Sequence, residues 1–113
     1  MRQVDEGTML APFEIWEVPY DNATIKFFEP LVLTPTWMPH DPDEPSDVEY
    51  WEVEVPELAI SSYGVDREEL ASAIRSDIRF AWRHFVLADD SLLTPDAQAV
   101  KIHYLTVAET VEE

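Results

Sequence analysis

Between residues 13 and 63 the apolar positions form short β-branched and aromatic runs broken by proline; after residue 66 they switch to helical three-and-four spacing. Residues 13–18 (FEIWEV) and 24–36 (TIKFFEPLVLTPT) therefore predict strands. Pro30 cannot donate a ladder hydrogen bond, so it puts the second run at a sheet edge or divides it into two short strands. Residues 37–47 (WMPHDPDEPSD) show no apolar periodicity and predict a loop. In residues 48–55, Trp51, Val53 and Val55 alternate with Tyr50, Glu52 and Glu54, the pattern of a half-buried strand. Residues 59–63, after Pro56, read either as a further strand or as the same strand continued past a bulge, and Gly64 ends that run.

Residues 66–86 carry the clearest helical pattern. Asp66 is placed to cap the first turn, and Glu69 three positions later makes the start resemble a capping box. At about 100° per residue, Leu70, Ile74, Ile78, Ala81, Trp82 and Phe85 collect on one face, while Arg75, Arg79 and Arg83 collect on the opposite one. Residues 88–91 interrupt the pattern. Thr94, Pro95 and Asp96 then form a second helix start, with Ala97, Val100, Tyr104, Val107, Ala108 and Val111 at helical spacing. The stretch 101–107 is also β-branched enough for a strand, and helix is the favoured reading. Together these elements predict an α+β fold. Three or four antiparallel strands carry one long helix across one face and a short C-terminal helix beside it, in a single domain over 13–113 after a polar lead-in, 1–12.

Charge narrows the function classes. Twenty-four acidic residues against seven basic ones give a formal net charge of -17, so the chain lacks the cationic surface that nucleic acid or an anionic membrane requires. The same field favours encounter with a basic protein. No cysteine is present, which removes disulfide, thiolate and zinc-knuckle chemistry, and two glycines cannot write a dinucleotide fingerprint or a phosphate-binding loop. The sequence shows neither a charged-then-apolar leader nor a window of about twenty apolar residues, so the expectation is cytoplasmic residence.

Candidate sites are few. Asp41, Asp43, Glu44 and Asp47 lie in one acidic loop, residues 40–47, and could offer oxygen ligands to a divalent cation; prolines replace the glycine that a calcium loop needs for its turn. His40, His84 and His103 lack metal-binding spacing, and no serine sits in a nucleophile elbow. Asp77 and His84 stand two helical turns apart, about 10.5 Å, too far for direct contact without a bridging group. The Arg75, Arg79 and Arg83 stripe suits a solvated face with salt bridges to internal carboxylates, an acidic partner or a self-association surface. Four tryptophans exceed what one small core readily buries, and Trp16 and Trp37 are candidates for an interface.

From 53 to 74 the order Val53-Glu54-Val55-Pro56-Glu57-Leu58, then Tyr63-Gly64, then Val65-Asp66-Arg67-Glu68-Glu69-Leu70-Ala71 resembles the HicB-like antitoxin family. The matching residues serve a strand end, a turn and a helix cap. What the resemblance implies is a β-β-β-α core of partial RNase H-like type without RNase H catalysis, in a module that dimerises and masks a small basic toxin. The expected function is thus a non-catalytic, antitoxin-like interaction module with a basic protein partner and no cofactor. The alternative is a small enzyme or divalent-metal-binding protein that uses the acidic loop. Unpaired sheet edges add the expectation of a homodimer that tightens as salt rises, with Trp16 or Trp37 at its interface.

Overall fold

The computed structural model describes residues 10–39, 43 and 49–112. Its strands form two antiparallel three-stranded sheets. In sheet A, β1 (Phe13–Tyr20) and β2 (Ala23–Leu33) make a hairpin whose two-residue turn holds Asp21 in the left-handed region, at φ 51°. In sheet B, β3 (Thr36–Met38), β4 (Tyr50–Val55) and β5 (Ile60–Gly64) run in chain order. The expected α+β class is present, with the strands shared between two sheets instead of filling one. The ladder breaks at Thr34 and Pro35, where proline has no N–H to donate.

Local chemistry accounts for each boundary. Pro30 lies within β2, in a bulge where Trp16 alone on β1 faces residues 27–30. The third strand of sheet A pairs with β2 only from Ala23 to Phe27, so the missing N–H of Pro30 falls on an open edge. Trp37 and Met38, expected in the loop, instead belong to β3, because Trp37 stands opposite Trp51 and their rings pack at 4.9 Å. Residues 60–64 form a separate strand: a 3₁₀ turn at Pro56–Leu58 ends with Ala59 at φ 55° and reverses the chain.

Helix α1 (Arg67–Ala81) begins where expected. The Asp66 carboxylate accepts from the Glu69 N–H at 2.8 Å, and the Glu69 carboxylate accepts from the Val65 N–H at 3.0 Å. Leu70, Ile74, Ile78 and Ala81 are fully buried against both sheets, each large side chain contributing about 2 kcal/mol of burial. The helix continues into a π turn at Trp82–Val86, closed by the Leu87 N–H donating to the Trp82 carbonyl. One extra residue per turn rotates the downstream face. Val86 is therefore buried where the regular spacing puts Phe85, which is half-buried.

Helix α2 (Pro95–Val107) is capped by the Thr94 hydroxyl, which accepts from the Ala97 N–H at 3.2 Å. Its anchor is Tyr104, fully buried, whose hydroxyl donates to the Leu58 carbonyl at 2.6 Å and whose ring meets Trp82 edge to face. Burial, reinforced by the Asp77 carboxylate, pushes the Tyr104 phenol well above its ordinary range and keeps the proton that this bond needs. The helix stops four residues short of Val111. Ala108 turns extended, and β6 (Ala108–Glu112) joins the free side of β2, giving sheet A the order β1-β2-β6. Thr110 and Val111 favour this outcome, and Ala108 tucks beneath the register position of Phe27.

Gly64 is set by the close approach of β5 to α1. A Cβ there would lie 2.6 Å from the Leu70 nitrogen, a backbone atom that cannot rotate away. Gly64→Ala is expected to destabilise the fold by about 1–3 kcal/mol in urea denaturation, while an alanine at exposed Ser72 on the same helix changes little.

Candidate interaction surfaces

Helix α1 runs alongside the outer edge of β1, and its arginines reach toward that strand. Arg67 donates to the carbonyls of Ala11 and Pro12 at 2.6 and 3.2 Å, with its guanidinium 4.1 Å from the Phe13 ring centroid. Arg79 donates to the Pro19 carbonyl at 3.4 Å, and Arg83 to the Tyr20 hydroxyl at 3.3 Å, with Asp21 at 3.6 Å. The Tyr20 contact, helped by the Asp21 charge, holds the Arg83 guanidinium above its ordinary value. The stripe is thus a seam along an edge strand, in which Arg83 has a carboxylate partner in Asp21. Arg75 faces the gap in that seam, a cleft of about 680 Å³ that it shares with Phe13, Glu14, Ile15 and Arg67.

On the other flank, Asp77 does the corresponding work for β5. Its carboxylate accepts from the Ser61 N–H at 3.0 Å and from the buried Ser62 hydroxyl at 2.7 Å. His84 lies elsewhere, its ring 4.3 Å from Phe80, so Asp77 and His84 do not form an acid–base pair. Neither role was visible from spacing, because both depend on which strand the helix lies against.

The outward faces of the two sheets differ in chemistry. On sheet A, the exposed side chains of Trp16, Phe28 and Val32 surround a row in which Lys26 stands between Glu17 and Glu109 in register. Trp37 is half-buried against Trp51, which leaves Trp16 the more open of the two candidate tryptophans. On sheet B, Tyr50, Glu52 and Glu54 of β4 and Ser61 and Tyr63 of β5 point away from the core. Tyr50 and Tyr63 meet edge to face at 5.8 Å, and Tyr63 is 63% exposed. Strands β3, β4 and β5 contain no Lys or Arg.

Of the acidic loop, Asp41, Glu44 and Asp47 lie outside the described residues, as does His40, and Asp43 occupies a turn. Among the described residues, no three His, Asp or Glu side chains converge to hold a metal ion, and no helix is long and apolar enough to cross a membrane. No protein-family model, curated protein or solved structure matches the chain.

Because one Asp77 oxygen serves two donors, Asp77→Ala is expected to cost about 2 kcal/mol and to open the β5 edge, seen as faster amide exchange at Ser61. Asp77→Asn keeps an acceptor at the same place and should lose about half as much.

Proposed function

We propose that this chain is a non-catalytic, antitoxin-like module whose partner is a small basic protein. The observation that carries the reading is the distribution of charge. Arg67, Arg79, Arg83 and Lys101 make internal bonds, the last to the Ala88 carbonyl and the Asp90 carboxylate, both at 2.7 Å. These bonds tie four of the seven cations to groups of the chain itself, although Arg67 and Arg83 stay exposed, and the 24 acidic residues dominate the surface field with a net charge of -17. Such a field speeds association with a cationic protein and repels polyanions. The resemblance of residues 53–74 to HicB-like antitoxins supports the same reading, since β3, β4 and β5 lead into α1 in the β-β-β-α order that the resemblance implies.

The test is co-expression with the product of a short basic reading frame beside this gene. Relief of growth arrest, and a stoichiometric complex whose affinity falls as salt rises, are expected. A neighbouring basic product that neither arrests growth nor binds would overturn the reading. So would tight, stoichiometric Ca²⁺ or Mg²⁺ binding that Asp43→Ala abolishes, which favours the metal-dependent alternative.

We also propose that the chain forms a homodimer through the outward face of sheet A, where Trp16, Phe28 and Val32 are each more than half exposed. Apolar burial has to outweigh repulsion between two strongly acidic chains, so the dimer should tighten with salt and Trp16→Ala should yield monomer in sedimentation equilibrium. A wild-type monomer at high salt refutes it.

A further inference from the structure

The antitoxin-like reading leaves open which surface meets the partner, and the structure offers two exposed sheet faces. We infer that the outward face of sheet B is the docking site for the basic partner, and that it takes a segment bearing Arg or Lys side chains over the Tyr50–Tyr63 pair. This inference rests on the basic-partner reading and adds its location.

Three observations favour this face. First, its composition is one-sided. Glu52 and Glu54 stand on it, Glu49 and the exposed Glu57 flank β4 at either end, and β3, β4 and β5 supply no cation to neutralise them. Sheet A, by contrast, already carries Lys26 between two glutamates. Second, the carboxylates sit beside aromatic rings. Glu52 is in register with Tyr63, and Tyr63 packs edge to face on Tyr50, so one ring edge is fixed by its neighbour while 63% of Tyr63 is open to solvent. A guanidinium or ammonium group placed there meets a π face and a carboxylate at once, the combination that recognises a cation more strongly than either alone. Third, among the described residues the arginines of α1 and its π turn do not compete. Helix α1 lies on the inner side of β4 and β5, and Arg67, Arg79 and Arg83 are directed to the region of β1 and its flanking residues.

Isotope-labelled full-length chain, titrated with a synthetic peptide of alternating Arg and Val, tests this directly. Amide shifts are expected at Tyr50, Glu52, Glu54, Ser61 and Tyr63, and few on sheet A. Tyr63→Ala should weaken binding about two- to fivefold while Tyr63→Phe, which keeps the π face, stays near wild type. Glu52→Gln should weaken binding and flatten its salt dependence. Shifts spread evenly over Glu17, Glu29 and Glu109, or unchanged affinity in Tyr63→Ala, would overturn the site while leaving the basic-partner reading standing. Concentration-dependent shifts at Tyr50 and Tyr63 without peptide would instead assign this face to a second copy and overturn the proposal. No binding of the peptide, and none of the neighbouring basic product, would overturn both.

Discussion

The architecture depends on one helix lying between two edge strands that do not pair with each other. Helix α1 buries Leu70, Ile74 and Ile78 against the inner faces of both sheets, and its polar flanks supply the hydrogen bonds that strand pairing would otherwise provide. Asp77 serves the β5 side with an acceptor, and Arg79 serves β1 with a donor while Arg67 does so for the residues just before it. Each sheet has an edge turned to the helix, and each of those edges is partly closed by a charged side chain of the right sign. Edge strands left open invite pairing with another chain, so these contacts stabilise the fold and also limit its side associations.

Much of this arrangement was legible in the chain. The Asp66 cap, the Thr94-Pro95 start and the inward row Trp51-Val53 are local signals, and each depends on bonds or packing within a few residues. What was not legible is long-range. Whether residues 108–112 continue a helix or become a strand turns on β2 offering them an unpaired edge, which nothing nearby in sequence reveals. The division into two sheets has the same origin, since Pro35 breaks the ladder locally while α1, far away in sequence, packs against both β1 and β5. The exchange of Phe85 for Val86 is a smaller case, produced by a single wide turn that regular periodicity does not contain.

The candidate surfaces divide in the same way. The acidity of the chain and the openness of Trp16 were readable as composition and pattern, and the alternation in residues 50–54 already set Tyr50, Glu52 and Glu54 on one face. The partner of Tyr50 was not readable, because Tyr63 reaches it through the β4–β5 register. The arginine stripe is visible in the sequence as a feature, but its targets, the Pro19 carbonyl for Arg79 and the Tyr20 hydroxyl and Asp21 carboxylate for Arg83, lie about sixty positions away.

The placement of β6 sets an order on synthesis. The segment from β1 to the π turn contains the hairpin, all of sheet B and the helix between them, so these can assemble as they leave the ribosome. The free side of β2 must wait for residues 108–112, which pair with a strand some eighty positions earlier. During that interval its backbone from Ala23 to Phe27 is an unpaired edge although both helices and the other five strands have already been made, and loop-closure entropy makes this pairing the slow one. A nascent chain stalled before Ala108 would expose that edge, and the heavy negative charge it carries would then be its main protection against joining another chain.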